Sequence, residues 1–288
     1  MAAAVTLTDV VLRDGLQDEP VVVPVPDRVA VARALAEAGV PCIEAASFVD
    51  PARVPQMAGA EELVAALPTT PGVRHSGIAL NARGARRAIR SGLQEVTLVV
   101  SAGQGHSRAN AGRDTAAALA GFEGLAAAHP SITFTAGVAT AFVCPFDGPV
   151  PPERLQGIAR SCADLGVERI NLADTLGTAT PEHVTESLEA VRAVLPATEL
   201  ALHLHDAHGQ ALRTVDRALA LGVTRFDSAL GGYGGCPFAP GAHGNLATEG
   251  LVAHLHARGV RTGIDVEHLS RAASLVREVI AAAPACPR

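Results

Sequence analysis

The sequence contains no lysine and no tryptophan, and all 23 of its basic residues are arginines. A protein without an ε-amino group forms no Schiff base with a substrate or with pyridoxal phosphate, and it cannot supply the lysine of a Walker-type phosphate loop. This absence excludes Schiff-base aldolases, pyridoxal-phosphate enzymes and P-loop nucleotide hydrolases. If the protein cleaves carbon–carbon bonds, it needs a metal ion, and we expect no organic cofactor.

Aromatic residues and excess positive charge are lacking as well. The chain has seven Phe and one Tyr, and its formal net charge is −6. Proteins that bind nucleic acids usually present a basic surface and aromatic stacking platforms, so we expect no nucleic-acid partner. No apolar run approaches the roughly 20 residues of a membrane-spanning helix, and the first residues lack the basic and apolar segments of a signal peptide. We therefore expect no membrane partner either.

The five cysteines are odd in number and widely spaced, so they form no paired zinc-site spacing. They are Cys42, Cys144, Cys162, Cys236 and Cys286. This usage is typical of a reducing, cytoplasmic compartment. With 48% hydrophobic and 18% charged residues, the chain has ample apolar area for a large core. Its 288 residues suit one domain over residues 1–288.

One sequence pattern recurs along the chain: an alanine-rich amphipathic stretch, a glycine where the helix should end, and then a run of β-branched residues. The glycines are Gly39, Gly92, Gly166 and Gly222. This pattern predicts eight short strands, at Val5–Leu12, Cys42–Ala46, Val73–Leu80, Glu95–Val100, Ile132–Ala139, Arg169–Ala173, Leu200–His205 and Arg225–Ala229. It predicts helices between them, at Asp27–Ala38, Glu61–Leu67, Asp114–Ala128, Pro152–Leu165, Pro181–Leu195 and Gln210–Leu221.

Alternating strands and helices indicate a parallel sheet, because parallel neighbours need crossover connections. Eight such units predict an α/β fold, a closed (β/α)8 TIM barrel. Leu246–His256 is then the last barrel helix and Val266–Ala283 a C-terminal cap helix. An open doubly wound sheet is the alternative, but the first strand is followed by RDGLQDE and not by a glycine-rich dinucleotide loop.

Barrel active sites lie at the carboxyl ends of the strands, and two histidines occupy one of these ends. His203 and His205 are two residues apart in a strand and therefore share a face. Closure of the barrel brings Asp14, after the first strand, and Asn245, after the eighth, beside them. Two imidazoles, a carboxylate and an amide oxygen suit Mg²⁺ or Mn²⁺, with Zn²⁺ or Co²⁺ as alternatives. The structural alternative is a pair of hydrogen-bonded histidines.

Further polar residues follow other strands. The Arg13 guanidinium suits a developing enolate or a substrate carboxylate, although it could instead form a salt bridge to Glu44 or Asp174. Glu44 is a candidate to orient Arg13 or to transfer a proton. Asp174, followed by Thr175, is a candidate base or hydroxyl acceptor, and its alternative is a helix N-cap.

The segment GGYGGCPF, which begins at Gly231, contains four glycines in five positions. Such a loop can approach a ligand closely or move as a lid. We interpret Cys236 within it as the one chemically active cysteine. The alternative is a small packing residue beside a turn proline.

These residues resemble those of the 3-hydroxy-3-methylglutaryl-CoA (HMG-CoA) lyases, metal-dependent (β/α)8 barrels related to the isopropylmalate synthases. The similarity extends over nearly the whole chain. It is carried by RDGLQDE, ASFVDPARVPQM, ADTLG, HLHDAHGQAL and GGYGGCPFAPGAHGNLATE. The glycine-rich cysteine loop is the most specific of these motifs.

The resemblance implies a role for each candidate residue. Asp14, His203, His205 and Asn245 would hold the divalent metal, with His203 also a candidate catalytic residue. Arg13 would stabilise the enolate on the thioester oxygen, and Cys236 would take part in proton transfer to the carbanion equivalent. Support for Arg13, the hydroxyl or the substrate would come from Glu44, Asp174, Gln17 and Thr175. The implied reaction is cleavage of HMG-CoA, or a close 3-hydroxy-3-alkyl acyl-CoA, to acetyl-CoA and acetoacetate or another 3-oxo acid. An acyl-CoA substrate and a homodimer are the implied partners.

The sequence departs from the family pattern at several positions. Relatives often have SASE-x-H-N-R-A-N where this chain has SAGQGHSRAN from Ser101. Val143 replaces a usual glycine and Gly250 a usual aspartate. We expect the loop after the fourth strand to line the acyl or pantetheine channel, so its changes keep a lyase for a longer 3-alkyl or a citramalyl-like thioester open. Two further alternatives are a condensing acyltransferase of the isopropylmalate-synthase type and a non-catalytic relative that binds metal or acyl-CoA.

Overall fold

The computed structural model describes residues 5–286, which form a closed barrel of eight parallel strands. The strands are β1 (Thr6–Asp9), β2 (Cys42–Ser47), β3 (Arg74–Ala79), β4 (Glu95–Ser101), β5 (Thr133–Ala139), β6 (Arg169–Asp174), β7 (Glu199–Leu204) and β8 (Arg225–Ser228). Each strand pairs with its neighbour in sequence, and β8 closes the barrel by pairing with β1. The predicted (β/α)8 barrel is confirmed.

Eleven α-helices are present in the described part of the chain. They are α1 (Val25–Glu37), α2 (Ala60–Ala66), α3 (Ala82–Arg90), α4 (Gln104–Ala111), α5 (Thr115–Ala120), α6 (Leu125–Ala128), α7 (Pro152–Asp164), α8 (Pro181–Val194), α9 (Ala211–Ala220), α10 (Thr248–Ala257) and α11 (Val266–Ala282). The predicted C-terminal helix is therefore present as α11, and it packs against α1. No helix among residues 5–286 is long and apolar enough to span a membrane.

Strand alternation separates the apolar core from the polar interior of the barrel. In β6, Ile170 and Leu172 are fully buried, whereas Asn171 between them lines the cavities inside the barrel. In β7, Leu202 is fully buried and His203 lines the interior cavity. The apolar side chains thus form the layer between strands and helices, and the polar side chains point into the barrel interior.

The first predicted strand is too long. β1 ends at Asp9, and Val11–Gly15 forms a π-helical turn. The carbonyl of Val10 accepts from the amides of Arg13, Asp14 and Gly15 at 3.1, 2.7 and 3.2 Å. The apolar run continues past the strand because this turn is itself buried. Arg13 and Asp14 consequently lie within the turn and not at a strand end.

Three other predictions differ in detail. The helix predicted over Asp114–Ala128 is two short helices, α5 and α6, separated by a turn in which Gly124 has a φ of 72°. The segment after β4, expected as a loop, contains helix α4. The predicted strand Leu200–His205 ends one residue early, because His205 instead forms a bridge with Asn245. That bridge ties the end of β7 to the segment after the cysteine loop.

Candidate active site

A cavity at the carboxyl ends of the strands contains most of the predicted site residues. Its polar wall includes Arg13, Asp14, Glu44, His203, His205 and Cys236. Its other wall is apolar, with Val49, Val54, Ile78, Leu80 and Val99 among the lining side chains. A charged wall facing an apolar one suits a ligand with a polar reacting end and an uncharged body.

Asp14, His203 and His205 form a buried cluster whose ligand atoms all lie within 4.8 Å of one another. The two histidine Nε2 atoms are 3.0 Å apart. The Oδ2 atom of Asp14 is 3.4 Å from Nε2 of His205 and 3.8 Å from Nε2 of His203. The π-helical turn supplies the carboxylate, while β7 and the residue after it supply the imidazoles.

The hydrogen bonds on the far side of each ring show which nitrogen is free. His205 Nδ1 lies 2.5 Å from the carbonyl oxygen of His243, which accepts only, so Nδ1 carries the proton. His203 Nδ1 likewise lies 3.2 Å from Oδ2 of Asp227. In the neutral rings, both Nε2 lone pairs therefore point toward each other and toward a carboxylate. Three converging lone pairs fit a bound cation, which would remove their mutual repulsion.

Asn245 reaches the cluster with the opposite atom from the one predicted. Its Nδ2 donates to Oδ2 of Asp14 at 2.7 Å and to the carbonyl of Tyr233 at 2.9 Å. Its Oδ1 is buried and has no hydrogen-bond partner within the described residues. A buried amide oxygen that accepts no hydrogen bond destabilises the folded protein. A cation bound at the cluster would give this oxygen a partner.

Asp227, in β8, is a site residue that the sequence interpretation missed. Besides contacting His203, its Oδ2 accepts from Nδ2 of Asn171 at 2.6 Å. The pKa of His203 is raised, because hydrogen bonding to Asp227 and the charge of Asp14 outweigh burial, the largest single effect. A lone acidic residue on the inward face of β8 was the available signal, since its neighbour Phe226 is fully buried on the other face.

Arg13 forms both an ion pair and part of the cavity wall. Its Nε donates to Oε1 of Glu44 at 2.5 Å, and Nη1 contacts the carboxylate of Asp14. Burial raises the pKa of Asp14, but Arg13 and the histidines outweigh it and hold that pKa well below its usual range. Burial raises the pKa of Glu44 despite the opposing charge of Arg13. The salt bridge to Glu44, which is the alternative to a catalytic role for Arg13, is thus present, and Arg13 lines the cavity as well.

The three remaining polar candidates differ in position. Gln17 lines the cavity, and its buried Oε1 has no partner in the described chain. Thr175 also lines the cavity, and its Oγ1 accepts from the amide of Thr140 at 2.8 Å. Asp174 does not line this cavity; its carboxylate accepts from the amides of Gly177 and Ala179 at 3.1 and 3.0 Å. The structure therefore places Asp174 as a buried anchor of its own loop.

The cysteine loop approaches the cluster closely. Gly234 has a φ of 118°, and a Cβ atom there would lie 2.3 Å from Nδ2 of Asn245. Only glycine fits this position. The loop carries Cys236 into the cavity wall, whereas Cys42, Cys144 and Cys162 are buried outside it. Burial raises the pKa of Cys236 to about 12, so the group is a protonated thiol at neutral pH.

The chain is similar to carbon–carbon lyases over most of its length. A family model described as HMGL-like matches residues 4–276. The (R)-citramalyl-CoA lyase of Chloroflexus aurantiacus is 42% identical over 278 residues, which cover 92% of this chain and 88% of that protein. The mitochondrial hydroxymethylglutaryl-CoA lyase of Mus musculus is 37% identical, with 96% of this chain and 86% of that protein covered.

A solved structure extends the similarity to three dimensions. The HMG-CoA lyase of Acinetobacter baumannii, in complex with coenzyme A and 3-methylmalate, superimposes with a TM-score of 0.93. It is 34% identical to this chain, and the match covers 100% of this chain and 95% of that one.

Proposed function

The chain belongs to the HMGL-like family of carbon–carbon lyases. We propose that it cleaves a carbon–carbon bond in the CoA thioester of a 3-hydroxy-3-methyl acid, which yields acetyl-CoA and an oxo acid. The first candidate substrate is HMG-CoA, with acetoacetate as the second product. The observation that carries the proposal is the convergence of three lone pairs beside Arg13 and Cys236 in one cavity. The complex of a relative with coenzyme A and 3-methylmalate supports an acyl-CoA ligand.

Cleavage of this kind has two electrostatic requirements. The tertiary hydroxyl must lose a proton as the bond breaks, and the electron pair must be stabilised as an enolate on the thioester oxygen. We assign the metal to Asp14, His203, His205 and Asn245, with Mg²⁺ or Mn²⁺ as the preferred ions. When bound, a divalent cation supplies Lewis acidity toward the hydroxyl and carboxylate oxygens of the substrate.

The side chains around the cluster perform the other tasks. Arg13, fixed by Glu44 at 2.5 Å, presents permanent positive charge toward the enolate oxygen. Cys236, protonated at neutral pH, donates a proton to the enolate carbon. Asp227 holds His203 with Nε2 directed at Asp14 and His205. Since that nitrogen is the only free one of the ring, we assign His203 to metal binding and not to proton transfer.

A citramalyl-type thioester is the second candidate. The 42% identity to (R)-citramalyl-CoA lyase favours it, and the altered segment after β4 lines the same cavity through His106 and Asn110. The two substrates differ by one methylene between the carbinol carbon and the carboxylate, and one methylene in a pocket changes specificity by roughly 10- to 200-fold.

The test is acetyl-CoA release by chelator-treated protein from each thioester, with and without Mg²⁺ or Mn²⁺. We expect metal-restored release from at least one substrate, and the ratio of kcat/KM values identifies the preferred one. Metal binding without release from either thioester contradicts the proposed reaction. Matched Cys236→Ala and Cys162→Ala variants separate a reacting thiol from a buried one, because burial raises the pKa of both to about 12. Only Cys236→Ala should lose activity.

A further inference from the structure

His106 contacts the thiol of Cys236 across the cavity. Its Nε2 lies 3.6 Å from Sγ of Cys236, although the two residues are 130 positions apart in sequence. The histidine projects from α4, and the cysteine from the glycine-rich loop after β8. Both side chains line the cavity that contains Arg13 and the Asp14 cluster. The contact therefore joins opposite sides of the candidate active site.

The other ring nitrogen is also held. Nδ1 of His106 lies 2.9 Å from Oγ of Ser101, at the end of β4. The ring is almost completely buried, and within residues 5–286 it forms no ion pair. Burial lowers the pKa of His106 to about 4, so the imidazole is neutral at pH 7. In the tautomer that donates Nδ1–H to Ser101, Nε2 is an acceptor directed at the thiol, which is the only one of the two groups with a proton to donate there.

Within the loop, the backbone amide of Phe238 interacts with the sulfur of Cys236, but a donor to the sulfur does not set the direction of the S–H bond. Gly231, Gly232 and Gly234 all have positive φ values, and glycine-rich backbone has many accessible conformations. A hydrogen bond from Sγ–H to a buried, rigid imidazole restricts the side-chain rotamer of Cys236. The charges of Asp14, Arg13 and Asp18 act on this thiol from the same side of the cavity, whereas His106 reaches it at hydrogen-bonding distance from the other side.

We propose that His106 is a positioning residue for Cys236, holding the thiol by an S–H···Nε2 hydrogen bond in the orientation from which it protonates the enolate carbon. This inference rests on the proposed function. In the step, the S–H bond breaks and a C–H bond forms at the enolate carbon, which becomes the methyl group of acetyl-CoA. The proton of the substrate hydroxyl passes to solvent, and Sγ takes up one proton from solvent, so the enzyme ends the turnover unchanged.

Three variants of the full-length, Mg²⁺-loaded protein test this role. His106→Phe retains a ring but no hydrogen bond, and His106→Gln retains a polar atom near the position of Nε2. His75→Phe is the matched control, because His75 is a partly buried histidine of β3 that borders a different cavity. For His106→Phe we expect kcat to fall about 10-fold with little change in KM, since one positioning hydrogen bond is lost. His106→Gln should recover most of kcat, and His75→Phe should leave it unchanged.

Alkylation of Cys236 by iodoacetamide, followed by peptide mass spectrometry, provides a readout that needs no turnover. Loss of the S–H···N bond removes stabilisation of the protonated thiol, so His106→Phe should be alkylated roughly 3- to 10-fold faster below the midpoint of the pH profile. An unchanged profile and an unchanged kcat in His106→Phe overturn the proposal. Equal losses of kcat in His106→Phe and His106→Gln, with equal losses of melting temperature, also overturn it. If wild-type protein cleaves neither thioester, the proposed reaction fails while the alkylation profile still decides whether His106 holds Cys236.

Discussion

The two ends of the barrel differ in how their charged and polar side chains are paired. At the amino end, the first residues of four strands pair with one another: Arg169 donates to Glu95 at 2.5 Å, and Arg225 donates to Glu199 at 2.7 Å. At the carboxyl end, the Nε2 atoms of two histidines face each other at 3.0 Å beside a carboxylate, and the amide oxygen of Asn245 has no partner in the described chain. The charged side chains named at the amino end are paired with one another, whereas the carboxyl end keeps converging acceptor atoms that have no matching donor.

This contrast separates stabilising charges from functional ones. A network whose donors and acceptors match has nothing left to offer a ligand, whereas converging acceptors without a cation raise the free energy of the unliganded site. In barrels of this kind, the carboxyl end is where active sites form and the amino end contributes stability. Substitutions of equal chemistry at the two ends should therefore have very different consequences.

The largest expected effect is that of Asp14→Asn. Removing the negative charge from the proposed metal site should lower kcat/KM for acetyl-CoA release by about 10³-fold, because the Lewis-acid contribution is worth several kcal/mol. Glu95→Gln at the amino end is the matched control and should keep nearly wild-type kcat/KM. Steady-state assays at saturating Mn²⁺ measure both variants. Similar losses of kcat/KM in the two variants would contradict the proposed functional difference between the two ends of the barrel.

Arg13→Met should have the next largest effect. The guanidinium lies against the cavity and is held by Glu44, so its loss removes charge stabilisation of the enolate and should lower kcat by about 10²-fold. Arg225→Met, which removes an arginine from the amino end, is the control. A loss confined to KM in Arg13→Met would assign Arg13 to substrate binding and contradict an enolate role.

Asp227→Asn should act through His203. Substitution of a group that orients a metal-binding histidine typically lowers metal affinity by about 10- to 100-fold. Asp227 is such a group, because it contacts Nδ1 of His203 at 3.2 Å. We expect weaker Mn²⁺ binding by titration calorimetry, with kcat largely recovered at saturating metal. A reduced kcat with unchanged Mn²⁺ affinity would place Asp227 in another role.

The parts of this site that the sequence predicts follow from regular geometry. The two-residue period of a strand placed His203 and His205 on one face, and barrel closure brought Asp14 beside them. The parts that it does not predict come from irregular backbone. The π-helical turn moves Arg13 and Asp14 past the strand end, and helix α4 carries His106 toward a loop 130 residues away. No local periodicity encodes such a contact.

Asp174 is a residue for which the sequence-based interpretation as a catalytic base differs from its position in the structure. Its position at the end of β6 and its residue type both suited a catalytic base. Two backbone amides of the following turn bind its carboxylate instead, which is the capping alternative in a slightly different form. Residue type and strand position therefore predict which side chains are near the barrel mouth, and the local turn decides which of them face the cavity.

Glu199→Gln should have the smallest effect, and on stability only. Partial burial raises the pKa of Glu199, but Arg225 and Arg169 outweigh it, so its pKa in the folded protein lies below the ordinary value. A lowered carboxyl pKa stabilises the fold above the unfolded-state pKa, and this contribution disappears as the pH falls through the folded-state pKa. Because the side chain is 45% exposed, solvent screening limits the loss in Glu199→Gln at pH 7 to about 0.5 kcal/mol. Urea unfolding of both proteins at pH 7 and pH 4 should show this difference shrinking at the lower pH, with activity unchanged. If the difference in unfolding free energy instead grew at pH 4, Glu199 would not stabilise the protein through its ion pairs at the amino end.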